Sequence, residues 1–209
     1  MADVPLRELL GGRRGALDAS IPPAVFVIGW LLSGQSIGWG ALAAVVAGAV
    51  AGGVRLRRGG RVTAALASVA AVAAGSLIAL YTGRAQDFFL VQLLSNVASA
   101  LAWAVSILIR WPLLGVVVGF VIGQRTRWRH DPDLLRAYGR ASWVWVGQYT
   151  LRVLVFGLLW WSGWVLALGV TRIALSWPLV ALTLAASAFV LRREIPRDHP
   201  GLRHPRMRT

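Results

Sequence analysis

Long apolar runs separated by short polar segments constrain this chain more than any other feature. Six runs are candidates for membrane crossings, and they cover residues 21–34, 37–54, 62–81, 88–109, 142–161 and 164–191. A transmembrane helix needs about 20 predominantly apolar residues, because backbone in lipid must satisfy its own hydrogen bonds. We therefore predict an all-α, polytopic membrane helix bundle of about six transmembrane helices.

The composition supports this prediction, since 57% of the residues are hydrophobic and only 14% are charged. Such values lie outside the usual range of soluble domains. A further apolar stretch, 112–123, is too short to cross and predicts an interfacial or re-entrant helix. The chain then divides into a cytoplasmic N-terminal segment (1–20), a membrane domain (21–191) and a basic cytoplasmic tail (192–209).

The placement of arginine predicts the orientation of the bundle. No lysine occurs, and 19 of the 22 arginines fall in four segments, 1–20, 55–61, 110–140 and 192–209. Six crossings with both termini in the cytoplasm put all four segments inside, as the positive-inside rule requires. We expect a protein of the inner (plasma) membrane whose cytoplasmic arginines contact anionic lipids. A nucleic-acid partner is not expected, because the arginines alternate with apolar runs.

Arg152 and Arg172 are the two arginines inside predicted spans. An ionisable group near a bilayer centre costs roughly 2.5 to 3.5 kcal/mol, so such groups usually face a protein interior. The helical rise puts both about 12 to 14 Å below the outer surface, level with Asn96. Gln92 lies on the face of Asn96, and Gln148 on that of Arg152. These residues predict a site for a small anionic solute or lipid headgroup; alternatively, the arginines only fix helix packing.

Two further positions border this predicted site. Arg84 and Asp87 lie in the charged loop on the outer side, either at the mouth of the site or in a solvated turn with a weak local ion pair. Asp18 lies at the inner edge before Pro22 and Pro23, where it is either a helix N-cap or a ligand for a proton or cation.

Catalytic and metal chemistry find little support in the sequence. No acid lies inside a predicted span to act as a general acid or base, which argues against an enzyme. Cysteine is absent, and the three histidines, 130, 199 and 204, lie in basic cytoplasmic segments. His130–Asp133 is more typical of a turn with a helix cap than of a metal site, so no metal or cofactor is expected. The tail is predicted to be disordered against anionic lipid.

Several segments together resemble a known family. They read GGRRGALDASIPPAVFV, LYTGRAQDFFLVQLLSNVASALAWAVSILIRWPLLGVVVG, TRWRHDPDLLRAYGRASWVWVGQYTLR and TRIALSWPL. Over roughly residues 11–193 the chain resembles the actinobacterial integral membrane family known as domain of unknown function 3159. It is more distantly similar to intracellular septation protein A, an inner-membrane protein linked to cell-envelope maintenance.

The resemblance leaves two functions open. One is transport or binding of an anionic group, for which a homo-oligomer would enlarge a bundle that is small for alternating access. The other, implied by the likeness to the septation protein, is a non-catalytic envelope scaffold whose partners are other membrane proteins.

Overall fold

The computed structural model describes residues 12–124, 126–196, 199–202 and 206. Within these residues the chain forms helices and turns but no strand, which confirms the all-α prediction. The helices are α1 (Gly12–Leu32), α2 (Ile37–Arg57), α3 (Val62–Thr82), α4 (Leu90–Leu108), α5 (Leu113–Val121), α6 (Pro132–Trp161), α7 (Val165–Ala174) and α8 (Trp177–Glu194). Two 3-10 turns, Ala85–Phe89 and Arg127–His130, precede α4 and α6.

The chain divides into two compact units. Unit 1 comprises the described residues up to Leu94 together with Leu154–Trp177, and unit 2 comprises Ser95–Val153 and the described residues from Pro178 onward. Helices α4 and α6 each contribute residues to both units.

In unit 1, α2 packs against both of its neighbours through a row of small residues. Its buried face includes every fourth residue from Gly40 to Gly52, namely Gly40, Ala44, Gly48 and Gly52. A Cβ at Gly52 would lie 3.0 Å from a methyl group of Val69, and a Cβ at Gly40 would lie 3.0 Å from the carbonyl oxygen of Phe26. Small residues at this spacing let helices approach closely in a membrane, where packing rather than the hydrophobic effect joins them.

Each unit has its own buried core. In unit 1, Phe26 stacks on Phe88 with ring centroids 4.0 Å apart, and Phe156 and Leu168 from α6 and α7 complete the core. In unit 2, the fully buried Trp128 meets Tyr138 edge to face at 5.5 Å, and Leu114 and Leu191 pack around them. These aromatic contacts hold the loops at the helix ends against the helices.

Three helical segments are long and apolar enough to cross a membrane, namely Ile37–Arg57, Val62–Thr82 and Ala85–Leu108. The broken pair Val165–Ala174 and Trp177–Glu194 qualifies as a fourth when counted as one span. The apolar part of α1, Ser20–Leu32, is shorter. The described residues therefore hold three or four candidate spans by length and composition.

The predicted start of the first helix is wrong. Helix α1 begins at Gly12, so Asp18 lies inside the helix and is not its N-cap, and Pro22 and Pro23 also lie inside rather than in the first turn. The sixth apolar run forms two helices that together count as one bent candidate span, because α7 ends at Ala174 and α8 begins at Trp177. Pro178 lies in the first turn of α8, where proline is tolerated because the backbone N–H groups there have no intrahelical partner.

Candidate functional site

The charged loop after α3 is a tightly built 3-10 turn in unit 1. Gly83 ends α3 with φ at 68°, in the left-handed region that favours glycine. Four of the five residues in the turn are buried, among them Asp87, whose exposed fraction is 3%. The solvated-turn alternative therefore does not describe Asp87.

Asp87 is held by two side chains, one of which the sequence did not point to. The indole Nε1 of Trp160 donates to Asp87 Oδ1 at 2.8 Å. Arg84 Nε lies 4.0 Å from Asp87 Oδ2, and the Arg84 guanidinium lies 5.2 Å from the Trp160 ring centroid. The structure thus brings Arg84 and Asp87 together, as their spacing predicted, and adds Trp160 from the end of α6. Because Arg84 is half exposed, its ion pair contributes little, and the indole is the main partner of the carboxylate.

The turn also packs closely against α3. A Cβ at Gly75 would lie 2.6 Å from the carbonyl oxygen of Phe88, so only glycine fits at this position. Phe88 in turn meets Phe89 edge to face at 5.2 Å. The buried backbone of the turn therefore leaves no room for a side chain at Gly75.

Two predicted site residues, Gln92 and Arg172, also belong to unit 1. Gln92 is partly buried on α4, and Arg172 is partly buried in the last turn of α7. A cation in the last turn is favoured by the partial negative charge of the helix C-terminus. Arg152 belongs to unit 2, so a common level for Arg152 and Arg172 stays a prediction.

In unit 2, α6 buries a line of polar groups along one face. The line comprises Tyr138, Ser142, Trp145, Gln148 and Arg152, separated by three or four residues. This spacing places them on one side of the helix over about 21 Å. Sequence reasoning found only the last two members, because tyrosine, serine and tryptophan also occur on ordinary packed faces.

Gln148 is the most unusual member of this face. Its exposed fraction is 4%, and neither amide atom has a hydrogen-bond partner among the residues that the structure describes. The Ser142 hydroxyl, the Tyr138 hydroxyl and the Trp145 indole N–H are likewise buried without a partner in the described part of the chain. Buried polar atoms in native proteins are nearly always hydrogen-bonded, so this row of groups is unusual within unit 2.

The surroundings of this face are polar and aromatic. Trp145 stacks on Trp103 of α4 with ring centroids 4.9 Å apart. Arg152 lies 5.8 Å from the ring of Tyr149. Asn96, also in unit 2, is 2% exposed. The buried or partly buried residues of unit 2 thus include the cation Arg152, the carboxamides of Asn96 and Gln148, and two stacked indoles.

A second polar cluster lies at the start of α6. Asp131 Oδ1 accepts from the backbone N–H groups of Asp133 at 3.0 Å and Leu134 at 3.2 Å, which confirms the predicted helix cap. Asp131 Oδ2 lies 2.9 Å from His199 Nε2 and accepts from the Arg206 backbone N–H at 2.7 Å. Because the Gly201 N–H donates to His199 Nδ1, the proton of a neutral His199 sits on Nε2.

This cluster corrects the prediction of a disordered tail for the part of the tail that the structure describes. The side chains of Asp131 and His199 are both fully buried. Burial raises the pKa of Asp131, but the bonds from His199 and from three backbone N–H groups outweigh it and hold that pKa below 3.8. Burial, aided by the charge of Asp131, raises the pKa of Tyr138 to about 12.

Asp131→Asn is expected to lower the free energy of unfolding at pH 7 by about 1 to 3 kcal/mol, because buried charge-assisted bonds are lost. The folded pKa lies below the unfolded value, so the contribution of the carboxylate is present above about pH 4 and is lost as pH falls further. Denaturant unfolding at pH 7 and pH 3 measures both effects. The matched control is Asp133→Asn, which removes a partly exposed pair with Arg136 at 3.7 Å and an acidic group in the first turn of α6. Equal losses in the two variants would contradict this assignment.

No group of three or more metal-ligating side chains occurs among the described residues. A family model described as a protein of unknown function (DUF3159) matches residues 10–198. The chain belongs to the DUF3159 family. The match spans both units and all the candidate residues above, but it ends one residue before His199. No curated protein and no solved structure matches the chain. The DUF3159 description assigns no reaction.

Proposed function

We propose that this DUF3159 protein is a multi-pass membrane protein that binds a small anionic group at a polar site on α6, as a binding or transport protein. The group is a carboxylate or a phosphate, carried either by a solute or by a lipid headgroup. The buried Gln148 amide, which has no partner among the described residues, is the observation that carries this proposal. An unsatisfied buried amide costs about 1 to 3 kcal/mol, so a residue that bears this cost serves a ligand or ordered water.

The charge of this face favours an anion. Arg152 follows Gln148 by one helical turn, and the segment from Tyr138 to Arg152 contains no acidic residue. A guanidinium presents paired N–H donors that match a carboxylate or a phosphate, and a carboxamide adds a neutral donor. We propose that Asn96 is a further uncharged residue that lines the site. The proposed site is limited to residues of unit 2, whereas Arg172 and Gln92 belong to unit 1.

Anion-dependent stabilisation of the purified protein tests this proposal. Phosphate or acetate at about one hundred times its dissociation constant stabilises a one-site protein by about 2.7 kcal/mol. We expect Arg152→Leu and Gln148→Leu to abolish this gain, and Arg152→Lys to keep part of it. Thr150→Leu, on the exposed side of the same helix, is the matched control and should respond like the unaltered chain.

Two probes separate the sources of the anion. A water-soluble phosphate tests the solute, and a short-chain phosphatidylglycerol at the same concentration tests the headgroup. Whichever stabilises the protein through Arg152 identifies the class. If neither probe stabilises the protein, or if both probes stabilise Arg152→Leu as much as the unaltered protein, the proposal is wrong.

We further propose six crossings of the inner membrane with both termini in the cytoplasm. The arginine distribution supports this topology, because it leaves only Arg84 in an outer loop. Many large apolar side chains are exposed, and aromatic ones lie at helix ends, for example Tyr81 and Trp161 with exposed fractions of 94% and 83%. Such residues suit the boundary between lipid and water.

The absence of cysteine from the sequence makes this topology directly testable. Ser162→Cys lies in the proposed outer loop between α6 and α7, and Thr126→Cys lies in the proposed cytoplasmic loop; both positions are exposed. In intact cells, a membrane-impermeant thiol reagent is expected to label Ser162→Cys and to label Thr126→Cys only after permeabilisation. The reverse pattern, or labelling of both from outside, would contradict the topology.

A further inference from the structure

A groove in unit 2 lies between the end of α8 and the described part of the tail. Its volume is about 340 Å³, and it is lined by Ala188, Leu191, Arg192, Ile195, Gly201 and Leu202. This volume falls within the range of about 300 to 1,000 Å³ that ligand pockets occupy.

The tail wall of the groove is held by specific hydrogen bonds. His199 is bonded to the capping carboxylate Asp131, and Gly201 donates its N–H to His199. The Gln124 side chain donates to the carbonyl oxygen of Leu202. Gly201 has φ at 97°, a backbone conformation that residues other than glycine rarely adopt. The groove is therefore a built feature of the tail and not a gap beside a loose segment.

The lining is amphipathic. Four of its residues are hydrophobic, and Arg192 is the cation. Among the residues that the structure describes, Arg192 forms no ion pair, while the nearby acid Glu194 is bonded to Arg140. A cation beside an apolar lining suits an anion that carries an apolar portion.

We propose that this groove binds an anionic phospholipid, with an acyl chain along Leu191 and Ile195 and its phosphate at Arg192. The inference rests on the proposed crossing of α8, whose last turn carries Arg192 and Arg193 where its apolar run stops. It is independent of the site at Gln148. Arginines at the cytoplasmic end of a span meet the anionic headgroups of that leaflet. An apolar wall beside one guanidinium suits a lipid better than a soluble anion, which would leave the wall without a partner.

Lipid-dependent thermal unfolding of the full chain in a neutral detergent tests this inference. The probes are phosphatidylglycerol, phosphatidylcholine with the same acyl chains, and glycerol phosphate. The test uses Arg152→Leu, in which the proposed site on α6 no longer binds phosphate. In this background we expect phosphatidylglycerol to raise the unfolding temperature most and glycerol phosphate to leave it unchanged. Arg192→Gln should weaken the apparent affinity for phosphatidylglycerol about fivefold, the loss expected for one arginine near a charged membrane surface.

Arg193→Gln is the matched control, because Arg193 neighbours Arg192 but does not line the groove. Ala188→Phe is a second variant that narrows the groove without changing charge, and it should weaken the binding of both lipids. Equal losses in Arg192→Gln and Arg193→Gln would overturn the inference, since general surface charge would then explain the binding. Unchanged lipid binding in Ala188→Phe, or stabilisation by glycerol phosphate alone, would overturn it as well. Failure of these tests leaves the anion response at Arg152 unaffected, so the two proposals fail separately.

Discussion

Replacing Gln148 with leucine is expected to stabilise the ligand-free protein by about 1 to 3 kcal/mol while abolishing its response to anions. The stabilisation follows because leucine is similar in size and removes two buried polar atoms that have no partner among the described residues. A residue kept for binding commonly lowers stability in this way. Denaturant unfolding with and without phosphate measures both effects on the same sample.

The control for this experiment is Thr150→Leu, two residues away on the exposed side of α6. A surface substitution of this kind usually changes stability by no more than about 0.5 kcal/mol. If Gln148→Leu lowers the free energy of unfolding instead, the amide stabilises the fold. Arg152, on the same helix face, would then serve only to fix helix packing.

Replacing Gly75 with alanine is expected to lower the free energy of unfolding by about 1 to 3 kcal/mol, and replacing it with valine by more. The new Cβ would lie 2.6 Å from the carbonyl oxygen of Phe88, and backbone cannot move aside as a flexible side chain can. The turn that holds Asp87 against Trp160 must then shift. We expect the loss to appear in thermal and denaturant unfolding alike.

Gly53→Ala is the matched control, because Gly53 also lies inside a helix but has no atom within 4 Å of the added Cβ. Alanine in a helix interior is favoured over glycine by about 0.5 to 1 kcal/mol, so this variant should be slightly more stable. Similar losses in Gly53→Ala and Gly75→Ala would contradict the tight contact between α3 and the turn.

The parts of the fold that the sequence predicts well are those set by local chemistry. Helices α2 and α3 begin at the first residues of their predicted runs, because Gly34 to Ser36 and Gly59 to Gly60 interrupt the apolar pattern around them. The Asp131 cap could be predicted for the same reason, since its hydrogen bonds reach only two and three residues along the chain.

Local signals mislead where they compete. Pro22 and Pro23 favour a helix start, yet α1 runs through them from Gly12. In the sixth run, continuous hydrophobicity hides the break between Ala174 and Trp177, although Pro178 gave a signal for it.

Contacts between distant residues could not be predicted. Trp160 and Asp87 are 73 residues apart, and His199 and Asp131 are 68 apart, so no periodicity or spacing connects them. The candidate site shows the same division. The pairing of Gln148 with Arg152 follows from helical spacing, whereas the burial of the Gln148 amide depends on how α6 packs within unit 2.

The side-chain amide resonance of Gln148 during a phosphate titration tests the central claim most directly. The chain has only five glutamines and one asparagine, so the signal can be assigned by its disappearance in Gln148→Leu. The proposed site predicts a saturable shift of this resonance in the unaltered protein and no shift in Arg152→Leu. A resonance that stays unchanged in the presence of phosphate, carboxylate and phosphatidylglycerol would contradict the claim that this buried amide binds an anion.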